Sequence, residues 1–427
     1  MYRKLEDFLI KGVMFRMKHT ERFRPMDLLF EKGGVLISES PLTPPAGVTV
    51  VDGKGCHLLP GLVDMHVHFR EPGFSYKETI ATGTEAALRG GFTTVCTMPN
   101  LDPVPDTEEN LRRQTEIIER DALIEVLPFA SITRGRAGKE LVDYAALAPA
   151  VAGFSDDGSG VQSEEVMRRA MEGIAPTGKI LAAHCEVDSL LDGGYVHKSA
   201  LLTCRGHRGI SSESEWKEIE RDIRLAEETG CRLHICHVST REGVRLVREA
   251  KRRGVRVTCE TAPHYLTFTD RDVQEDGRFK MNPPLREEAD RDALREGVAD
   301  GTVDVIATDH APHSAEEKSR GLEKSAMGVV GLETALAAVY TSMVESGLMS
   351  LDRLIEAMAL KPAEILGITP GYPTDAVLVD FGEDADTDPE NFLTKGRATP
   401  FAGMSLRGNV RATVGRGKLY QFTKRNA

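Results

Sequence analysis

The sequence LVDMHVH at residues 62–68 is a short apolar segment that ends in two histidines, two residues apart. Side chains two residues apart in a strand point to the same face, so His66 and His68 are expected to project together. The apolar run VDVIATD at residues 303–309 ends in the same manner with Asp309. Both segments therefore predict a buried strand that ends in side chains able to bind a metal ion.

Eight short runs of this kind, rich in Val, Ile and Thr, are spread along the chain, and segments with helical periodicity lie between most of them. Strand–helix alternation of this length predicts parallel βαβ units that close into a (β/α)8 TIM-type barrel, an α/β fold. The predicted strands are Leu62–His68, Gly91–Met98, Ile124–Ala130, Val151–Ser155, Lys179–His184, Arg232–His237, Val255–Glu260 and Val303–Thr308. The predicted helices are Glu78–Arg89, Asn110–Arg120, Glu164–Glu172, Glu215–Glu228, Glu242–Arg253 and Ala289–Ala299.

The two ends of the chain have a different pattern. Residues 26–52 and 374–421 contain short strand-like runs with turn residues and no helix between them. Neither segment is long enough to bury a core alone, so we expect both to pair into one small β domain. The predicted division is 1–58 and 369–427 for the two parts of the small β domain, and 59–368 for the barrel.

The composition narrows the class of protein. The 427 residues include 54 Lys and Arg against 66 Asp and Glu, and the resulting net charge of −12 argues against a nucleic-acid-binding surface, which needs a basic stripe. No uncharged run approaches the roughly 20 residues of a membrane helix. Glu6 and Asp7 stand where a signal peptide would be apolar. We therefore expect a cytoplasmic protein with neither a nucleic-acid nor a membrane partner.

Other predicted strands also end in histidine or aspartate. Strand four runs into SDDG at 155–158, strand five into HCE at 184–186, and strand six into HVS at 237–239. The carboxyl ends of barrel strands share the face where barrel enzymes place their catalytic groups. Four histidines and two carboxylates there suit a pair of divalent cations, for which we predict Zn²⁺. The candidate ligands are His66, His68, His184, His237, Asp309 and either Asp156 or Asp157.

Asp309 follows a strongly apolar strand, where a carboxylate without a partner would be costly. We expect it to be a metal ligand that also takes the proton of the attacking water. Cys185 and Cys236 each stand beside a candidate histidine, and strand alternation predicts that both point away from the site. A zinc site made from Cys231 and Cys236 is an alternative that their spacing does not favour.

Polar groups near the predicted mouth suit an anionic substrate. Arg70 lies two residues beyond the histidine pair, on the same face, and its guanidinium could bind a carboxylate with two hydrogen bonds. The alternative for Arg70 is an ion pair with Glu71 or another surface acid. Asn100, Asn282 and His313 follow strands two, seven and eight, and the residues alone do not decide between substrate contacts and turn residues.

Seven motifs together resemble the class I dihydroorotases of the amidohydrolase superfamily. The resemblance extends from about residue 59 to residue 367. It implies a zinc-dependent barrel enzyme of pyrimidine biosynthesis that interconverts N-carbamoyl-L-aspartate and (S)-dihydroorotate. The motifs are PGLVDMHVHFREPG (60–73), GGFTTVCTMPN (90–100), SDDG (155–158), HCE (184–186), HVST (237–240), KMNPPLR (280–286) and ATDHAPHSAEEK (307–318).

The resemblance also implies two zinc ions per subunit and a role for each candidate residue, including Asp309 as a catalytic residue. Many relatives bridge their two ions with a carbamylated lysine. No lysine follows strand four here, so Asp157 is the expected bridge and Asp156 the alternative. The implied ligands are His66, His68 and Asp309 for one ion, His184 and His237 for the other, and Asp157 for both. The implied substrate contacts are His68, Arg70, Asn100, Asn282, His313, Met327 and Gly328.

Two other functions remain open at this point. One is a hydantoinase, dihydropyrimidinase or allantoinase on the same scaffold, whose neutral rings would give Arg70 nothing to bind. The other is a catalytically silent homologue that serves as a structural partner of aspartate transcarbamoylase, although such a protein would be expected to lose ligands. A homo-oligomer is expected, and an association with aspartate transcarbamoylase stays open. The stretch 193–216 and the segment GYPTDAVLVD (371–380) depart from the usual family forms.

Overall fold

The computed structural model describes residues 2–18 and 21–422, which form an eight-stranded sheet, a nine-stranded sheet and a two-stranded sheet with helices around them. The strands are β1 (Tyr2–Leu5), β2 (Phe8–Phe15), β3 (Arg24–Glu31), β4 (Gly34–Ser38), β5 (Thr49–Asp52), β6 (Cys56–Pro60), β7 (Leu62–Val67), β8 (Phe92–Thr97), β9 (Glu125–Ala130), β10 (Gly153–Phe154), β11 (Ile180–Ala183), β12 (Val196–His197), β13 (Gly209–Ile210), β14 (Arg232–Ile235), β15 (Val257–Thr261), β16 (Val305–Ile306), β17 (Ala376–Asp386), β18 (Ser405–Gly415) and β19 (Lys418–Phe422). The α-helices are α1 (Ile80–Arg89), α2 (Glu108–Asp121), α3 (Tyr144–Leu147), α4 (Glu164–Ile174), α5 (Ala200–Cys204), α6 (Glu213–Thr229), α7 (Arg241–Arg252), α8 (Pro263–Thr267), α9 (Glu288–Asp300), α10 (Ala315–Lys318), α11 (Gly321–Lys324), α12 (Ala335–Val339), α13 (Leu351–Ile355) and α14 (Lys361–Leu366).

The eight-stranded sheet is the predicted barrel. Its strands are parallel neighbours in the order β7, β8, β9, β10, β11, β14, β15, β16. The first and last strands meet where Val67 forms a parallel bridge with His310 and the N–H of His68 donates to the carbonyl of His310 at 2.8 Å. The TIM-type barrel is therefore confirmed, and the carboxyl ends of its strands meet at one end.

The outer helices have the apolar spacing and the capping residues that their sequences predict, as helix α7 illustrates. Val244, Val247 and Ala250 recur every three residues and are buried against the barrel. The side chain of Thr240 caps the helix by accepting a hydrogen bond from the N–H of Gly243. All six predicted helices are present, each with both limits within two residues of the prediction.

The nine-stranded sheet joins the two ends of the chain, as predicted. It runs in the order β1, β19, β18, β17, β6, β2, β3, β4, with β5 beside β2. The central pair, β17 and β6, is antiparallel and aligns Val377 with Leu59. This sheet lies directly against the barrel, because a Cβ on Gly91 would come within 2.7 Å of the side chain of Val377. Gly91 has a φ of +89°, which also favours glycine.

Some elements had no sequence prediction. They are strands β1, β2 and β6, helices α3 and α8, the elements β12, β13 and α5 within the stretch 193–216, and helices α10 to α14 after the last barrel strand. These elements are mostly four to six residues long, too short for a periodic pattern to be recognised. Among the described helices, none combines the length and the apolar character that crossing a membrane requires.

Candidate active site

The carboxylate of Asp157 lies among the four predicted histidine ligands at the carboxyl end of the barrel. Its Oδ1 lies 3.4 Å from Nε2 of His66. The same oxygen lies 3.5 Å from Nδ1 of His184 and 3.5 Å from Nε2 of His237. Its Oδ2 lies 3.5 Å from Nε2 of His68. All five side chains are buried, so these donor atoms face one another in a space largely closed to solvent.

Asp309 completes the predicted group of six. Its Oδ1 lies 3.2 Å from Nε2 of His68 and 3.5 Å from Nε2 of His66. The backbone is unusual at this residue and at two other site positions, since φ is +47° at Asp309, +36° at His237 and +53° at Arg70. Left-handed backbone in residues other than glycine costs about 1–3 kcal/mol each and is concentrated at functional sites.

The donor set fits a metal ion. Nε2 of His66 and Oδ1 of Asp157 are buried without a hydrogen-bond partner among the described residues. Donor atoms of His66, His68 and Asp157 lie within 4.8 Å of one another, and so do those of Asp157, His184 and His237. Nitrogen and carboxylate lone pairs that converge in this manner are the ligands that zinc and similar divalent cations prefer. Asp157 belongs to both groups.

The pKa values of the ionisable side chains at this centre are strongly shifted. Burial raises the pKa of Asp157, but the charge of His66 and the close ring nitrogens of His184 and His237 outweigh it and hold that pKa well below its usual value. Burial lowers the pKa of His66, but the carboxylates of Asp157 and Glu260 outweigh it and raise that pKa well above its usual value. The carboxylates of this centre therefore favour a positive charge among them, which is the charge that a metal ion would bring.

The carboxylate of Asp156 forms its hydrogen bonds outside the histidine group. Its Oδ1 accepts hydrogen bonds from the N–H of Ile132 at 2.8 Å and of Thr133 at 3.1 Å, and the hydroxyl of Thr133 donates to its other oxygen. Asp156 therefore fixes the loop that follows β9, whereas its neighbour Asp157 faces the histidines. Sequence spacing could not separate these two adjacent carboxylates.

Glu260 is a functional residue that the sequence analysis missed. Its Oε1 lies 2.7 Å from Nδ1 of His66, and its Oε2 lies 3.1 Å from Nε2 of His234. It also accepts a hydrogen bond of 3.4 Å from the N–H of His237. The available signal was a carboxylate in a buried strand, the same signal that identified Asp309. A carboxylate behind a metal-binding histidine fixes its ring orientation and tautomer.

The prediction that Cys236 points away from the site is wrong. Donor atoms of Cys236, His66 and Glu260 lie within 4.8 Å of one another in the barrel interior. The positive φ of His237 interrupts the strand alternation, so Cys236 and His237 both face inward. Burial raises the pKa of Cys236 to about 12, which keeps it a thiol. Cys185 does lie on the outer side, with its Sγ 3.8 Å from Oδ2 of Asp222.

Three of the predicted substrate contacts lie together at the mouth. Nη2 of Arg70 lies 3.5 Å from Nε2 of His313, and that nitrogen lies 2.7 Å from the carbonyl of Met327. Nε of Arg70 donates to the carbonyl of Pro312 at 3.3 Å. The alternative ion pair with Glu71 is absent among the described residues, and the buried Arg70 lies within electrostatic reach of Asp309 and Asp157.

Asn100 contacts the ligand group directly, and Asn282 reaches it through Glu186. Oδ1 of Asn100 lies 2.7 Å from Nδ1 of His68, and its Nδ2 donates to Oδ2 of Asp157 at 3.4 Å. Nδ2 of Asn282 donates to Oε2 of Glu186 at 3.1 Å, and that oxygen lies 3.5 Å from Nε2 of His184. Oδ1 of Asn282 is buried without a hydrogen-bond partner in the described part of the chain.

Gly328 lies beside Met327 at the same edge. Its φ is +131°, which few other residues adopt. A Cβ at this position would lie 2.8 Å from the Cβ of Ala311 and 3.1 Å from Nε2 of His313. The backbone at Gly328 therefore lies close to the mouth of the barrel, and peptide groups rather than a side chain line this edge.

Comparison with known proteins gives one family. Residues 55–243 match the family model "Dihydro-orotase-like". A dihydroorotase of Fusobacterium nucleatum is 46% identical over 381 residues, which cover 88% of this chain and 90% of that protein. A dihydroorotase of Bacillus subtilis strain 168 is 48% identical over 378 residues, which cover 87% of this chain and 88% of that protein.

Solved structures share the fold. An L-hydantoinase (dihydropyrimidinase) from Arthrobacter aurescens has a TM-score of 0.84 at 25% identity, covering 97% of this chain and 96% of that one. A dihydropyrimidinase from Brevibacillus agri NCHU1002 has a TM-score of 0.79 at 21% identity, covering 96% of this chain and 94% of that one.

Proposed function

Because the chain belongs to the dihydroorotase family, we propose that its six clustered ligands hold two zinc ions for the reversible ring opening of (S)-dihydroorotate. The hydrolysis of this cyclic amide, which interconverts dihydroorotate and N-carbamoyl-L-aspartate in pyrimidine biosynthesis, is the activity of the chain. The observation that carries the metal proposal is the position of Asp157, whose two oxygens lie within 3.5 Å of nitrogens of four histidines.

The ligands divide into two groups around that carboxylate. In this proposal His66, His68 and Asp309 hold one ion, His184 and His237 hold the other, and Asp157 belongs to both. Zinc lowers the pKa of bound water to about 7 and polarises a carbonyl oxygen that it contacts.

Asp309 is the proposed proton carrier. Burial raises its pKa, but the nearby charge of His66 outweighs burial and lowers it, so the group is a carboxylate able to accept a proton. Its Oδ1 lies beside both histidines of the first group, where the attacking water is expected. Asp309 then returns the proton to the ring nitrogen that leaves the carbonyl carbon.

The substrate carboxylate is proposed to bind at the mouth. Arg70, with Asn100 and His313, would hold this group so that the ring carbonyl meets the water. The burial of Arg70 supports this role, because a desolvated guanidinium binds an anion more strongly than an exposed one does. The free Oδ1 of Asn282 can accept a ring N–H, and the Met327–Gly328 backbone lies over the same edge.

A neutral cyclic amide is the second candidate substrate, because the L-hydantoinase structure shares the fold over nearly the whole chain. The cluster of Arg70 and His313 favours dihydroorotate, since a neutral ring has no carboxylate for a guanidinium to bind. The metal ligands do not distinguish the two, because activated water attacks any cyclic amide.

The test is ring opening of (S)-dihydroorotate by the purified protein, with dihydrouracil, hydantoin and allantoin as parallel substrates. We expect turnover of dihydroorotate alone, its loss after dialysis against a chelator, and its return with zinc. Turnover of a neutral ring in its place would contradict the proposed role of Arg70. Absence of all turnover in zinc-loaded protein would favour the structural partner of aspartate transcarbamoylase.

A homo-oligomeric state and an association with aspartate transcarbamoylase stay predictions, and so does the cytoplasmic location expected from the composition. Size-exclusion chromatography of the chain, alone and mixed with the transcarbamoylase, measures the first two. We expect a species larger than the 46.8 kDa monomer in the first experiment.

A further inference from the structure

Lys318, the last residue of helix α10, has an unusual environment. Its side chain is buried, and its Nζ donates to three backbone carbonyls: Lys280 at 3.1 Å, Ala326 at 2.8 Å and Gly328 at 2.7 Å. An ammonium group has three N–H donors, so its hydrogen bonds are complete. Within the described residues it forms no ion pair.

A buried cation without a carboxylate partner is unfavourable for folding. Burial, and next the charge of Lys280, lower the pKa of Lys318 to about 7, and Asp276 offsets this only in part. An apolar side chain could fill the same volume without this cost. The ammonium is therefore best explained by the two backbone segments that it joins.

Both segments carry proposed substrate contacts. The carbonyl of Lys280, two residues before Asn282, also accepts the N–H of Gly328 at 3.0 Å. The carbonyl of Met327, between the two bonded residues Ala326 and Gly328, lies 2.7 Å from Nε2 of His313. Lys318 thus connects the segment after β15 to the segment that faces His313.

We infer that Lys318 is a positioning residue, whose ammonium fixes the backbone of Ala326–Gly328 against Lys280 and so sets the edge of the substrate site. This inference rests on the proposed function, in which Asn282, His313 and the Met327–Gly328 backbone contact the substrate. Lys318 itself bonds only to backbone carbonyls and to no proposed metal ligand. It therefore acts on substrate binding rather than on metal binding.

The test compares Lys318→Met with the control Lys251→Met. Nζ of Lys251 donates to the carbonyl of Thr302 at 2.8 Å and to Oδ2 of Asp304 at 2.6 Å, next to the amino end of β16 and so at the opposite end of the barrel. Lys318→Met should raise KM for dihydroorotate roughly tenfold while kcat and zinc content change little. Lys251→Met should lower the melting temperature and leave KM unchanged.

An unchanged KM in Lys318→Met, or an equal rise in Lys251→Met, would overturn the inference. If Lys318→Met does not fold, Lys318→Arg is measured in its place. Arginine keeps the positive charge, but its N–H donors lie in one plane and cannot bond to three carbonyls that surround a single nitrogen position. The same rise in KM is therefore expected. Failure of the proposed function is seen separately, as a wild-type protein that holds zinc and does not open dihydroorotate.

Discussion

Oε1 of Glu260 lies 2.7 Å from Nδ1 of His66, on the side of the ring opposite to the nitrogen that faces Asp157. The carboxylate therefore fixes the tautomer in which Nε2 of His66 offers its lone pair. The second oxygen of Glu260 lies 3.1 Å from Nε2 of His234, which keeps the carboxylate in place.

Glu260→Gln should weaken zinc binding roughly 10- to 100-fold, because the ring loses the negative charge that raises its basicity. Competition with a chromogenic chelator measures this affinity. Glu333→Gln is the matched control, since Glu333 is a buried glutamate whose Oε1 accepts the N–H of Leu393 at 2.7 Å, outside the metal group. Equal zinc affinities for the two variants would show that Glu260 has no role in metal binding.

Arg70→Ala should raise KM for dihydroorotate roughly 10- to 100-fold, the effect of losing charge-assisted hydrogen bonds to a carboxylate. Arg70→Lys should have a smaller effect, because it keeps the charge and loses the paired donors. Steady-state kinetics with both variants measures KM and kcat. An unchanged KM in Arg70→Ala would remove the proposed carboxylate contact.

The adjacent aspartates should respond differently to the same substitution. Asp157→Asn should lose zinc on dialysis and retain less than about 1% of the turnover, because the carboxylate belongs to both ligand groups. Asp156→Asn should keep its zinc and lose about 1–3 kcal/mol of stability, because it weakens the bonds to Ile132 and Thr133. Metal analysis and thermal unfolding separate the two results. Loss of zinc in Asp156→Asn but not in Asp157→Asn would make Asp156, and not Asp157, the ligand common to both groups.

His197 should make the stability depend on pH. Its buried Nδ1 lies 3.1 Å from Nη1 of Arg286, and burial, followed by the charge of Arg286, lowers its pKa to about 3. The unfolded chain takes up this proton near pH 6.5 and the folded chain does not, so stability falls as the pH falls below 6.5. Between pH 7 and pH 5 the loss is about 2 kcal/mol.

His197→Asn keeps an acceptor for Arg286 and does not titrate, so it should lack this part of the pH dependence. Urea unfolding of both proteins at pH 7 and pH 5 measures the difference. If the two proteins lose the same stability between these pH values, His197 is not the group responsible.

The barrel, and the meeting of six candidate ligands at one end of it, could be predicted from the sequence because both depend on local rules. Alternation along a strand places His66 and His68 together, and the parallel topology brings the strand ends to one face. The same rules failed where the backbone departs from a regular strand. The φ of +36° at His237 breaks the alternation, so His237 faces inward as its neighbour Cys236 does, which no residue pattern indicates.

Other features depend on contacts between distant parts of the chain. Asp156 is distinguished from Asp157 only by the N–H groups of the loop after β9. The stretch 193–216 is held by long-range contacts, such as that between His197 and Arg286. No pattern in the sequence around Lys318 indicates burial, which is visible only in the fold.

Two zinc ions held around Asp157 are proposed to support the ring opening of dihydroorotate. Titration of metal-free protein with zinc, with dihydroorotate turnover and bound zinc measured in the same samples, tests this proposal. We predict that turnover rises until about two zinc ions are bound per chain and then stays constant. Full turnover with one bound ion, or turnover that persists without metal, would contradict a two-zinc site.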